Sequence, residues 1–306
     1  MVGSKNTGDG KNFMLTVMKK VKEEYMSTVM KKRDEEYKAK KRDEKHEAER
    51  DEDITEAVKK EVMKTALEYD FTSKVRLANA YMDEVVTALK SMGLSGVDVR
   101  GEVSTKLLSG SAAGFLKLIY EVGMHWDPVM DLPFIPGSSI KGVMRSNALD
   151  LCMGKGQGVE ECIKVVLDVF GSGEGLGGLN TEAKAGEVIV TNAYPVELSD
   201  NMLFTGDIVN PHYFKDGRPV TDEYDVEPVP ISSLAIRKGV KFRFVIGVKE
   251  VKGLKEVAKS LFGYELDKPS EFIFLLLTYS LSMGLGARTS RGYGVMDVPV
   301  SSINLW

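Results

Sequence analysis

Between residues 97 and 107 the chain alternates with a period of two. Val97, Val99, Val103, Thr105 and Leu107 are interleaved with Asp98, Arg100, Glu102, Ser104 and Lys106, which predicts a half-buried strand. Leu116, Leu118, Tyr120 and Val122 repeat the alternation after a small-residue connection and predict a second strand. Further strands are predicted at 187–198, 229–236, 240–249 and 293–300. Helical spacing runs through 54–70 and 74–92. In the latter, Leu77, Tyr81, Val85, Ala88 and Met92 form one apolar stripe, with Gly93 placed to end it. Helices are also predicted from near Ser139 and at 254–262 and 270–283. Strand pairs flanking helices indicate an α+β fold with a ferredoxin-like sheet, in one copy or duplicated. Segments 176–186 and 216–226 read as excursions from it.

Residues 11–53 read differently, as one long charged helix or a partly disordered arm. TVMKK-x-x-EEY occurs at 16–25 and again at 28–37, and KKRDE at 31–35 returns at 40–44. The span is too short for a solenoid. Met14, Met18, Val21, Tyr25 and Thr28 fit a short coiled-coil seam, and beyond Met30 only charge pairs such as Asp34/Lys38 remain. The division expected is therefore an arm, 1–53, and an α+β domain, 54–306, that begins with helices over 54–92.

Composition narrows the function. The chain has 306 residues, net charge −4 and 43% hydrophobic residues, which suits a folded globule and disfavours a non-specific nucleic-acid coat. Residues 19–64 hold 15 basic and 14 acidic side chains, leaving 26 basic against 31 acidic elsewhere, so any polyanion site must be a local patch. No run reaches ~18 uninterrupted apolar residues, so no membrane span is expected. Cys152 and Cys162, with three histidines, cannot supply a Cys/His metal cluster, and no cofactor is expected. Two cysteines give no disulfide framework, and no secretory pattern opens the chain, which makes the cytoplasm the default expectation. Glycine is abundant, 30 residues against a usual ~7%.

Two glycine-bearing segments carry candidate chemistry. In 132–145, LPFIPGSSIKGVMR, Pro136-Gly137 makes a turn and Ser138 or Ser139 is placed to cap a helix. Lys141 and Arg145 lie four apart beside that helix start, a phosphate seat of amides, dipole and two cations. GxxxxG invites comparison with a P-loop, but Val143 and Met144 stand where the motif needs Lys-Ser/Thr. In 284–294, GLGARTSRGYG, the glycines Gly284, Gly286, Gly292 and Gly294 let the backbone bend tightly. Arg288 and Arg291 project from the turn, and successive amides can form an anion nest. A dinucleotide fingerprint is excluded, because the run follows a helix and reads GxGxxT. The bland alternatives are a capped helix with exposed cations and a helix C-cap with a loose loop.

Histidines give weaker candidates. His212, in DIVNPHY at 207–213, suits a stacking or contact role. His125, next to Trp126 and Asp127, is the candidate acid–base for metal-independent RNA cleavage. Trp126 and Phe134 suit either base stacking or the core. No paired carboxylates at two-metal spacing are evident.

FIPGSSIKGVMR at 134–145 and GLGARTSRGYG at 284–294 resemble the two signature segments of the RAMP superfamily of CRISPR proteins. FGSGEGLGG…AGEVIVTNAYP, 170–195, resembles its middle segment. DIVNPHYFKDG…EPVPISSLAI, 207–236, is similar to a stretch in one subunit type of the type III-B (Cmr) effector complexes. The resemblance covers about 97–300 and leaves out the charged repeat. It implies a modified RNA-recognition fold and a non-catalytic subunit that binds guide RNA. The implied partners are the CRISPR guide RNA, complementary target RNA and other type III-B subunits, especially the repeating backbone subunit. Gly137, Ser138, Ser139, Lys141, Arg145, Gly284, Gly286, Arg288, Arg291, Gly292 and Gly294 match motif positions. His212 carries over as a contact only. The alternative is a RAMP endoribonuclease that processes guide precursors through His125.

Overall fold

The computed structural model describes residues 12–38, 44–110, 114, 116–117, 119–120, 123–173, 183–209, 214–215, 218–219 and 231–306. It opens with two long helices packed along each other, α1 (Phe13–Lys38) and α2 (Glu44–Glu68). The inward residues of α1 are Phe13 and Val17, with Val21 packed against them. Of the expected seam Val21 packs inward while Met18 and Tyr25 are exposed, and the buried Phe13 and Val17 lie one position before Met14 and Met18. Phe13 enters an aromatic cluster with Tyr69, Phe71, Trp126 and Phe204, ring centroids 5.0–6.0 Å from its own. Buried Asp131 accepts the N–H of Phe13 at 2.5 Å and of Met14 at 3.3 Å, and pairs with Lys74 at 2.8 Å. A carboxylate at a helix start meets the positive end of its dipole. Helix α2 runs through residue 53, where the boundary was expected, and the start of α1 packs into the core.

Helix α3 (Thr72–Ser91) has two apolar stripes. The buried one is Val75, Ala78, Met82 and Leu89, while the stripe expected inside leaves Leu77 56% and Met92 63% exposed. Beneath α3 lies β1 (Ser95–Val103). The alternation predicted Asp98 as solvent-facing; it is buried instead and receives two parallel bonds from Arg243, at 2.9 and 2.8 Å. Arg243 also donates to Asp83 and to the backbone and side-chain oxygens of Asn79 on α3. Every charge on this buried face is thereby matched, the condition for keeping an ion pair out of water. On the opposite face the Ser95 hydroxyl meets the Ser270 hydroxyl at 2.9 Å, so β1 is covered on both sides.

No second strand forms among the described residues of 116–122. Leu116 takes a left-handed φ of 70°, and the described neighbours make turns. Tyr120 is nevertheless buried, donating its hydroxyl to the Lys59 carbonyl at 2.8 Å. A short pair, β2 (Trp126–Asp127) and β3 (Leu132–Pro133), leads into α4 (Gly137–Met153). Then comes α5 (Val159–Phe170), unforeseen between glycine-bearing segments. The two helices are joined by a buried disulfide, Cys152–Cys162, with Cα atoms 5.6 Å apart. Two cysteines were expected to give no disulfide framework; they form this single cross-link.

The chain continues through β4 (Gly171–Ser172), β5 (Lys184–Ala185), β6 (Val188–Val190), β7 (Tyr194–Glu197) and β8 (Phe204–Val209). Next are β9 (Phe214–Lys215), β10 (Arg218–Pro219), β11 (Ile231–Ile236) and β12 (Lys241–Val248). Helices α6 (Leu254–Phe262) and α7 (Pro269–Ser282) precede β13 (Met296–Asp297) and β14 (Ile303–Leu305). The main sheet is antiparallel, ordered β13-β1-β12-β6, with β14 also on β1 and β7 also on β12. Its spine is β1 against β12, in register from Ser95 opposite Val248 to Glu102 opposite Lys241. A separate hairpin pairs β8 with β11. The expected excursions, 176–186 and 216–226, lie largely outside the described residues. Among the described residues no helix is long and apolar enough to cross a membrane, and no group of three or more His, Cys, Asp or Glu could hold a metal.

Candidate nucleic-acid interface

The glycine run 284–294 leaves α7 and folds back on itself. Leu285 donates to the Gly294 carbonyl, Gly294 donates to the Lys106 carbonyl, and Ala287 donates to the Leu108 carbonyl, each at 2.9 Å. Arg291, Gly292 and Tyr293 donate to carbonyls of Arg288 and Thr289. These amides, expected as a nest for a ligand, are thus spent within the protein. Gly294 has φ 73°, and a Cβ there would overlap the Leu285 carbonyl, so glycine is required for the loop's own closure. The Arg291 side chain goes outward, and that of Arg288 is half-buried. Arg288, itself left-handed at φ 62°, opens the single turn Thr289–Arg291 that carries Arg291 into solvent.

At the start of α4 the cap is Pro136, with no side-chain cap from Ser138 or Ser139. The Gly137 N–H instead goes to the Asn192 side chain at 3.0 Å, and a Cβ on Gly137 would strike the carbonyls of Val190 and Thr191. Lys141 is turned toward the sheet and donates to the Val188 carbonyl at 3.1 Å. Burial, and then the charge of Arg145, lower its pKa, so the two cations do share one neighbourhood. Arg145 keeps Nε and one terminal nitrogen buried without a hydrogen-bond partner among the described residues.

A short stretch after β1 ties the two motifs together. Lys106 and Leu108 hold the glycine loop, as above, and the Ser109 hydroxyl donates to the Phe134 carbonyl at 2.9 Å, two residues before Pro136. Segments some 150 positions apart in sequence are thereby seated on four consecutive residues. The same stretch meets β8: Lys106 pairs with Asp207 at 2.7 Å, and Tyr293 donates to the other Asp207 oxygen at 2.7 Å. Lys106, Asn192, Asp207 and Tyr293 were not among the sequence-derived site residues. The one available signal was that Asn192, Asp207 and Tyr293 sit inside singled-out motifs.

His125 packs its ring over Gly110 and 5.6 Å from that of Phe134. The neighbouring Asp127 does not pair with it. Its carboxylate accepts Tyr194 at 2.5 Å and the amides of Val129 and Met130. Burial pushes the Asp127 pKa up, but these hydrogen bonds outweigh it and leave it below the usual value. A His–Asp acid–base pair is therefore not assembled. His212 lies outside the described residues.

The model of the RAMP superfamily matches residues 102–297, from β1 to β13. The chain belongs to the RAMP superfamily. Both motif segments and the bridging stretch fall inside the RAMP match, while α1, α2 and α3 precede it. The chain is 34% identical over 218 residues to "CRISPR system CMR subunit Cmr6" of Saccharolobus solfataricus, covering 71% of this chain and 63% of the relative. It is 28% identical over 224 residues to a Cmr6 subunit of Pyrococcus furiosus, covering 58% and 61%. This RAMP chain thus spans about six tenths of the length of these relatives. Among solved structures it resembles a chain of the "Type III-B Cmr-beta bound to cognate target RNA" with TM-score 0.60 and 29% identity, covering 85% of this chain and 75% of that one. The RAMP α+β fold is shared.

Proposed function

We propose that this chain is a non-catalytic, guide-RNA-binding structural subunit of a type III-B ribonucleoprotein that targets invading RNA. The observation that carries the reading is the shared seat: residues 106–109 hold the loop bearing Arg288 and Arg291 and the entry to α4 side by side. A compact cationic edge on an acidic chain reads phosphate locally, leaving the other faces to neighbouring subunits. The Cmr6 relatives and the Cmr-beta structure support placement beside other type III-B subunits and RNA. The engagement of Asp127 by Tyr194 weighs against the endoribonuclease alternative through His125.

The test is RNA binding by the full chain with Arg288→Ala/Arg291→Ala. Affinity for single-stranded RNA should fall about tenfold or more irrespective of sequence. The slope of log affinity against log salt should flatten by about one per lost phosphate contact. An unchanged slope and affinity overturn the proposal. A metal-free cleavage assay of repeat RNA, comparing the wild type with His125→Ala, addresses the alternative: RNA cut only by the wild type would establish it.

A further inference from the structure

We infer that Asp207 is a positioning residue for the arginines of the glycine loop, acting through Tyr293; this rests on the reading above. Asp207 is only 6% exposed, on β8. Each of its oxygens takes one donor from a different part of the chain, Lys106 on one side and Tyr293 on the other. An unpaired buried carboxylate is costly, so this arrangement holds its partners in place as firmly as they hold it. Lys106 also cancels the Asp207 charge, so the support does not neutralise Arg288 and Arg291.

Tyr293 is pinned at both ends. Its hydroxyl is on Asp207. Its ring lies on a small apolar cluster of Leu108, Ala235 and Ala287, separate from the main core. Its N–H closes the turn by donating to the Arg288 carbonyl at 3.3 Å. Burial, with the Asp207 bond and charge, raises the phenol's pKa, and the charges of Arg288 and Arg291 oppose that rise. Both guanidiniums are therefore close enough to be felt at the hydroxyl. A shift of Tyr293 moves the backbone from which both arginines project.

A purely electrostatic role and a positioning role predict opposite signs. Removing a negative charge near an RNA site strengthens binding if only charge counts. If Asp207 positions the loop, Asp207→Asn weakens it. Tyr293→Phe keeps ring and charge and removes only the hydroxyl. The full chain would be titrated with a fluorescently labelled 40-nucleotide single-stranded RNA at several salt concentrations, with melting curves to verify folding. Both variants should weaken binding about threefold to tenfold and lower the salt slope. On an Arg288→Ala/Arg291→Ala background, Tyr293→Phe should add nothing, the non-additivity of residues acting as one unit. Tighter binding by Asp207→Asn overturns the inference. So does wild-type binding by folded Tyr293→Phe while the arginine pair variant is weakened. If the arginine pair variant itself binds like the wild type, the RNA reading of the loop has failed, and the inference fails with it.

Discussion

At the glycine loop, the hydrogen-bonded amides are turned inward, Arg291 is exposed and Arg288 is half-buried. At the start of α4 both cations are half-buried: Lys141 reaches the Val188 carbonyl, and Arg145 has nitrogens enclosed without a partner among the described residues. Both motifs combine glycine with paired cations, yet only the loop carries one of them, Arg291, fully to the surface. In both, the glycines serve the approach of one protein segment to another. Gly294 meets the Leu285 carbonyl and Gly137 those of Val190 and Thr191. Glycine enrichment beside cations is thus a sign of a tightly built edge, and the burden of contacting an anion falls on side chains.

The largest effect that would break this contrast concerns the loop backbone. Gly294→Ala should cost about 3 kcal/mol or more in urea unfolding, combining overlap with Leu285 and a left-handed φ. Gly292→Ala, at a similar φ but facing open space, should cost only about 1 kcal/mol. Equal costs would show that closure of the loop is not what the glycines are for. Next in size, Cys152→Ala/Cys162→Ala should lose about 2–3 kcal/mol, since the cross-link closes a loop of ten residues behind α4. Reduced wild type should melt close to the variant.

On the α4 side, Tyr194→Phe should cost about 1 kcal/mol at neutral pH through its bond to Asp127. Because the Asp127 pKa is lowered in the fold, its contribution is complete above the usual carboxylate range. It is lost as pH falls through the folded value, so the gap between wild type and variant should close in acid. The smallest effect is expected of Lys141→Met, with RNA affinity falling no more than about twofold, about 0.4 kcal/mol. A loss matching that of the arginine pair would make the two motifs equal partners after all.

Much of the frame was legible in the residues. The alternation of β1, the presence of β12, the bounds of α6 and the position of the glycine loop after α7 follow from local pattern. What local pattern misread were choices settled by distant partners. Asp98 looks solvent-facing until Arg243, far along the chain, neutralises it. Helix α3 offers two apolar stripes at helical spacing, and only its seat on the sheet selects Val75, Ala78, Met82 and Leu89. Leu116 and Tyr120 alternate like a strand, but a left-handed φ breaks the extension. Phe13 is a single aromatic residue before a long charged run, and the rings that enclose it come from four other places in the sequence. For the site, the motif positions were visible, whereas the connecting stretch 106–109 and Asp207 acquire meaning only from hydrogen bonds between distant segments.

The carboxylate of Asp131 at the head of α1 has a consequence for the order of events during synthesis. As the chain is made, α1 gains its anchor only once a residue 118 positions after Phe13 has emerged and the turn between β2 and β3 has closed. Until then Phe13 has neither that anchor nor the pocket later completed by Trp126 and Phe204. Fixing α1 in place therefore waits on chain made long after it.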